Sequence, residues 1–263
     1  MKTRPARRRW RRLRVRDLEA LARDAQRDTL AARRSLDSVM AVVSHDLRSP
    51  IGTITMGASL LREYFTRHGA EATRELNTLG RMERACRSML SQMSDLQDVA
   101  RIDAGTFRVE LRRVGVNDIL RDATDAAQPQ AQLAGVDVRF EAADEGLELE
   151  LDRQRIQQAL GNLVVNALRV TPRSGVITLK AELVDGFVKL SVVDAGAGLE
   201  PEFAAHAFDR YWQASAGLGG STGVRLFIVR SIAEAHGGRA EVQSAPGLGS
   251  TFSLLLPWSR QAP

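Results

Sequence analysis

Ser44-His45-Asp46-Leu47-Arg48-Ser49-Pro50 places a histidine and a carboxylate side by side within a helical pattern. Leu36, Met40, Val43, Leu47, Ile54 and Leu61 recur at helical spacing. At about 100° per residue they fall near one stripe, and His45 lies almost opposite it. A core histidine would sit on the stripe, whereas this one points away from it. An exposed imidazole beside a carboxylate can act as a nucleophile, because the neutral ring nitrogen attacks while the acid takes or steers a proton. Taken alone, the same pair also reads as an idle surface histidine.

Outward from this stretch, residues 17–66 read as helix almost throughout, the first glycine being Gly52. Pro50 removes a backbone donor and predicts a kink one turn beyond His45. Leu18, Leu21, Ala25 and Ala32 continue a thin apolar seam upstream, which predicts a short coiled-coil lead-in over 17–35. Gly69 marks a turn. A second helix is expected over 71–102, with Leu76, Leu79, Met82, Cys86, Met89, Leu90, Met93, Leu96 and Val99 on its apolar face. Two such helices form a hairpin whose broad apolar faces cannot all be covered within one copy. Pairing of two copies into a dimeric four-helix bundle is the natural solution.

After Asp103-Ala104-Gly105 the pattern changes. Strands are expected at 106–111, 137–141, 147–151, 176–183, 188–193 and 250–256, alternating with helices at 116–134, 152–170 and 224–236. This is an α+β arrangement, a two-layer α/β sandwich with helices on a mixed or antiparallel sheet. The organisation expected is a basic arm (1–16), a helical lead-in (17–35), a hairpin domain (36–105) and a sandwich domain (106–258).

At 263 residues, 44% hydrophobic and 26% charged, the composition is that of ordinary soluble domains and excludes a disordered or fibrous chain. The net charge of +5 is concentrated at one end: residues 1–16 hold nine basic residues and no acidic one, which leaves −4 for residues 17–263. Such an arm suits acidic lipid headgroups or the membrane flank of a partner, and reads equally as a plain solvated tail. Aromatic interleaving is limited to Trp10, which argues against nucleic acid. No apolar run approaches the length of about 18 residues that a membrane span needs, and the arm has no apolar segment of a secretory signal. Cys86 is the sole cysteine, which excludes an internal disulfide framework and fits a reducing compartment. The location expected is cytoplasmic, against the inner face of the membrane if the arm engages it.

Four clusters in the second half carry chemistry. Asn162 and Asn166 stand four apart on a helix and share one face; their amide oxygens can ligate Mg²⁺, or simply decorate a helix surface. Asp194-Ala195-Gly196-Ala197-Gly198 follows a strand, where a carboxylate can accept from an exocyclic amine and glycines let backbone approach a flat ring. Gly217-Leu218-Gly219-Gly220-Ser221-Thr222-Gly223 leads into a helix and reads as a phosphate cradle or as a plain linker. Gly247-Leu248-Gly249-Ser250-Thr251-Phe252 opens the last strand as a turn near the same place.

In this order the motifs resemble those of two-component sensor histidine kinases, over residues of about 36–257. The resemblance implies that Val43 to Pro50 is the phosphoacceptor box, with His45 phosphorylated, Asp46 its acidic partner and Ser49 at the position that serves the reverse phosphatase reaction. Arg101-Ile102-Asp103-Ala104-Gly105 looks like the end of the second dimerisation helix. Asn162 and Asn166 match the asparagine box that holds Mg²⁺, with Asn166 as the metal ligand and Asn162 as a second candidate, and Arg169 falls where a basic residue meets the phosphates. Asp194, Gly196 and Gly198 match the first glycine box, whose aspartate recognises adenine. Phe208-Asp209-Arg210-Tyr211 resembles the aromatic box beside the lid; Thr222-Gly223-Val224-Arg225-Leu226 stands where the family has glycine, leucine and glycine again before the next leucine, and the resemblance implies nucleotide contacts from Arg210, Thr222, Gly223 and Leu226. The implied fold is a dimeric hairpin followed by a Bergerat-type ATP-binding domain. The implied reaction transfers the γ-phosphoryl group of Mg-ATP to His45, then to an aspartate of a response regulator.

Some positions depart from the family pattern. Arg225 and Ser221 replace small residues near the phosphates, while Met40 and Val170 replace common aromatics. An arginine there either obstructs backbone approach or adds positive charge to the triphosphate. The obstructing case gives the alternative reading, a degenerate kinase with weak ATP binding that serves as a regulatory scaffold or phosphatase. Another ATPase of the same nucleotide fold would explain Asn166 and Asp194 but leaves the His45 hairpin without a purpose.

Overall fold

A computed structural model describes residues 47, 51–67, 73–210 and 224–258. The chain divides into two compact units between Gly105 and Thr106. The basic arm, the lead-in, the bend at Pro50 and the turn at Gly69 lie outside the described residues.

In the first unit, helix α1 covers 51–67 and α2 runs Thr73–Asp103. Ile51 of α1 packs on Cys86, Leu90 and Met93 of α2. Leu79 and Val99 are also buried, whereas Met82 and Met89, expected on the apolar face, are each 42% exposed. Leu47, Ile54, Leu60, Leu61 and Tyr64 are exposed too, so the hairpin keeps a wide apolar surface uncovered. The interior is not wholly apolar. Glu83, only 6% exposed, accepts from Ser59 Oγ at 3.0 Å and pairs with Arg62 Nε at 3.4 Å. A buried carboxylate with two partners fixes the register between the helices, because any slip would strand the charge.

The second unit holds strands β1 (Arg112–Gly115), β2 (Asp137–Phe140), β3 (Glu148–Leu151), β4 (Val176–Val184), β5 (Phe187–Asp194), β6 (Arg239–Ser244) and β7 (Ser250–Pro257). Its helices are α3 (Val116–Ala134), α4 (Arg153–Val170), α5 (Pro201–Ala205) and α6 (Arg225–Ala235). The main sheet has the order β2-β4-β5-β7-β6; β2 and β4 are parallel and the other pairs antiparallel. β1 and β3 form a separate antiparallel ribbon. Alternation along the strands sends Ile177, Leu179, Val188, Leu190, Val192, Phe252 and Leu254 to the face covered by α3, α4 and α6. They meet Ile119, Leu120, Ile156, Leu160, Leu163, Ile228 and Ile232, all buried. Each such side chain contributes about 1.5–3 kcal/mol by leaving water. The opposite face carries Lys180, Glu182 and Lys189, and a Ser191–Ser253 hydroxyl contact at 2.9 Å.

One expectation is corrected, and the structure adds two elements. Residues 106–111 are not a strand; β1 begins at Arg112. The Glu110 N–H goes to the Asp152 carboxylate at 3.0 Å and the Arg155 guanidinium stacks over Phe107 at 4.6 Å, so this stretch is pinned by side chains and has no ladder. β6 was not anticipated, because an edge strand with only Ala240 and Val242 apolar gives a faint alternation. The short α5 has no sequence signal beyond Pro201 at its start, a conventional opening residue. Among the described residues no helix is long and apolar enough to cross a membrane.

Candidate functional site

α4 begins with a strong cap. Asp152 Oδ1 accepts the Arg155 N–H at 3.1 Å while Oδ2 takes the Glu110 N–H at 3.0 Å. Burial pushes the Asp152 carboxyl up, but these two bonds and the charge of Arg155 outweigh it and hold the group below the usual carboxylate range. His236, after the end of α6, closes the arrangement: its Nε2 accepts the Asp152 N–H at 3.0 Å and its Nδ1 donates to the Ile232 carbonyl at 2.7 Å. One ring nitrogen accepting and the other donating fixes a neutral tautomer.

Downstream on α4, Asn162, Asn166 and Arg169 are half-buried. The Asn162 Nδ2 is fully buried and has no hydrogen-bond partner among the described residues. An amide left in that state is a group awaiting a ligand, water or ion. At the last residue of α4, Val170 reaches the loop after β5: a Cβ added at Gly196 would come within 2.7 Å of Val170 Cγ2 and 2.8 Å of Asp194 Oδ1. Glycine is required there by space.

Asp194, the last residue of β5, is 5% exposed. Its Oδ1 accepts the Gly196 N–H at 2.8 Å and the Ser250 N–H at 3.3 Å. Burial pushes its carboxyl above the usual range, against the pull of these bonds and of the Ser250 hydroxyl. The loop after it is locked to the β6–β7 turn. Gly198 (φ +72°) would place a Cβ 2.0 Å from the Ala245 carbonyl oxygen, and Gly249 (φ +76°) would place one 2.0 Å from the Asp194 carbonyl oxygen. The Gly247 N–H donates to Ala197 O at 2.7 Å. This geometry gives a recessed carboxylate rimmed by bare backbone, which suits a flat ring carrying a donor.

Arg210 and Arg225 bracket residues 211–223. The Arg210 guanidinium lies 5.9 Å from the Phe227 ring and that of Arg230 lies 5.5 Å from the same ring. Arg230 also pairs with Asp209 at 3.4 Å. Arg225 is the first residue of α6 and half-buried, as is Leu226 next to it. His45, Asp46, Ser49, Thr222 and Gly223 lie outside the described residues.

The structure thus brings Asp194, Gly196 and the end of α4 together. It also adds residues that sequence reasoning passed over: Ser244, His236, Asp152 and Phe227. Of these only Asp152 had a readable signal, as an acidic residue directly before a helical pattern.

Among the described residues no cluster of three or more His, Cys, Asp or Glu could hold a metal by itself. The donors on α4 are amides. They fit a Mg²⁺ that brings phosphate oxygens and water as its other ligands, not a metal caged by protein alone.

Residues 35–105 match the family described as the His Kinase A (phospho-acceptor) domain, and residues 151–260 match the histidine kinase-, DNA gyrase B- and HSP90-like ATPase family. The chain is 35% identical over 247 residues to the sensor protein DivL of Caulobacter vibrioides, covering 94% of this chain and 31% of that protein. With the histidine protein kinase DivJ of the same organism it shares 34% identity, over 88% of this chain and 38% of the relative. The chain therefore spans about a third of the length of these relatives. The structure of full-length ShkA in complex with AMPPNP superposes with a TM-score of 0.67 at 25% identity, over 85% of this chain and 46% of that one. The chain belongs to the two-component sensor histidine kinases, with a phosphoacceptor domain followed by a histidine kinase-type ATP-binding domain.

Proposed function

We propose that this chain is an ATP-dependent protein-histidine kinase that phosphorylates its own His45 and passes the phosphoryl group to an aspartate of a response regulator. The observation that carries the reading is the buried Asp194 at a strand end, rimmed by Gly196 and Gly198 and adjoining the α4 that bears Asn162 and Asn166.

In this reading Asp194 accepts from the exocyclic amine of adenine, with Gly196 and Gly198 holding the turn that presents it. Asn166 and Asn162 face the phosphates from α4, joined by Arg169, and Arg210, Thr222, Gly223 and Leu226 contribute from the segment around residues 211–223. Mg²⁺, held through Asn166 and also Asn162, supplies charge neutralisation to the triphosphate. The His45 ring nitrogen attacks the γ-phosphorus in line; the bond to the bridging oxygen breaks, and ADP leaves with that electron pair. Asp46 orients the imidazole or accepts its proton, and Ser49 positions water when the reaction runs as a phosphatase.

The uncovered apolar surface of the hairpin supports a homodimer. The basic arm is assigned to anionic lipid at the inner membrane face, and nucleic acid is not among the partners proposed. Incubation with γ-labelled ATP should give a phosphoprotein labile to acid and stable to alkali, absent from His45→Ala; no labelling despite normal ATP binding would refute the kinase reading.

A second reading, the degenerate scaffold or phosphatase, is favoured by Arg225 at the first position of α6. Nucleotide titration separates the two. If Arg225→Gly binds ATP while the natural protein does not, the scaffold gains; equal binding removes its support.

A further inference from the structure

One residue, Thr106, separates Phe107 from Gly105, where the first compact unit ends. Six residues, 106–111, separate Gly105 from the start of β1 at Arg112. Side chains at the start of α4 hold this short entry segment. Phe107 is buried, and the Arg155 guanidinium lies 4.6 Å from the centre of its ring. Arg155 is itself seated: its Nη1 donates to Gln158 Oε1 at 2.9 Å, and its backbone N–H donates to Asp152 Oδ1 at 3.1 Å. The other carboxylate oxygen of Asp152 takes the Glu110 N–H at 3.0 Å. The first turn of α4 thus grips the entering chain at residues 107 and 110, wholly within the second unit.

These grips do more than a helix start requires. Capping α4 occupies only one oxygen of Asp152, and β1 pairs with β3 from Arg112 onward. What the grips at 107 and 110 add is a limit on free chain. Without them the tether out of the first unit runs from Gly105 to Arg112, seven peptide links, where with them it runs to Phe107, two links. The local concentration that a flexible tether imposes falls roughly as the −3/2 power of its length, so this change is worth about sixfold.

We propose that Phe107 and Arg155, with the Asp152–Glu110 bond, form a clasp on the tether between the two units: they are positioning residues that raise the rate of phosphoryl transfer to His45 without touching the nucleotide. The proposal rests on the reading of His45 as the acceptor of the nucleotide's phosphoryl group.

The test uses the full chain and four readouts: the rate of phosphohistidine formation at saturating Mg-ATP, ATP affinity by titration, a melting curve, and the rate of trypsin cleavage after Arg108, an exposed residue between the two grips. Phe107→Ala/Glu110→Pro opens both grips, because proline has no N–H to donate, while the Asp152 bond to the Arg155 N–H is left in place. It should slow transfer by about sixfold, leave ATP affinity within about twofold, and speed cleavage after Arg108 by about tenfold or more. Insertion of five glycines between Gly105 and Thr106 brings the tether to the same seven links with the clasp closed. It should slow transfer by the same factor and leave Arg108 protected. Insertion and release together should cost only about twofold more than release alone. Phe107→Tyr, which keeps the ring, should keep both rate and protection.

Should the release variant fail to fold, the insertion, which alters no packed side chain, carries the rate prediction. An undiminished rate after insertion, a loss of ATP affinity that matches the loss of rate after release, or unaccelerated cleavage after Arg108 overturns the clasp. Accelerated cleavage in a protein whose natural form makes no phosphohistidine shows that the grips exist but overturns the kinase reading, and the rate-setting role with it.

Discussion

An ionised Asp194 is kept in the fold against the cost of its own burial. Because its folded pKa lies above the unfolded value, the folded state holds the proton more readily. The ionised carboxylate therefore costs stability at neutral pH, and the cost fades as pH falls through the folded pKa. Asp194→Asn should melt at the same temperature or higher at neutral pH, since its Oδ1 still accepts the Gly196 and Ser250 N–H groups. Its ATP affinity should fall by at least about tenfold through loss of a charged acceptor. A fall in both would mean the carboxylate serves the fold and not a ligand. The turn Asp194-Ala195-Gly196-Ala197-Gly198 was legible in the sequence because it depends on local spacing. Ser244 and His236 were not, because each works through partners 45 and 84 residues away in the chain.

At the scale of elements, α4 and α6 are joined through His236. Burial holds its pKa below the ordinary value, against the carbonyl of Ile232 and the charge of Asp152. The groups facing it are Asp152 from the start of α4 and the Ile232 carbonyl from α6. The depressed folded pKa means that the unfolded state binds the proton first. Stability from this histidine is complete above an unfolded pKa of about 6.5 and erodes as pH drops below it, until the folded pKa is passed. His236→Gln, neutral at all pH values and still able to accept the Asp152 N–H, should flatten the loss of melting temperature between about pH 5 and 7. An unchanged slope would place the acid sensitivity elsewhere. Asp152→Ala should cost about 1–2 kcal/mol as a lost helix cap, read by denaturant unfolding. The six-residue displacement of β1 from the expected stretch has the same origin: the Asp152 cap captures Glu110, and only beyond it is the backbone free to pair with β3.

For the whole molecule, the hairpin's apolar residues divide into an inner set around Ile51, Cys86 and Met93 and an outward set that includes Met82 and Met89. The helical periodicity made both sets visible in sequence but could not sort them, since helical spacing marks a broad face and not its partner. The natural chain should sediment as a dimer. Met82→Lys/Met89→Lys should shift it toward monomer without altering the melting of the nucleotide domain; a monomeric natural chain would contradict the bundle.

A nucleotide held by Asp194 should feed a phosphoryl group to His45. The most direct measurement is phosphosite mapping by mass spectrometry at neutral to alkaline pH, after incubation with Mg-ATP, of the natural chain, His45→Ala and Asp194→Asn side by side. Phosphohistidine is expected at residue 45 in the natural chain, with none in His45→Ala and a severe loss in Asp194→Asn although its His45 is intact. Phosphorylation at another residue, or undiminished labelling of Asp194→Asn, would contradict it.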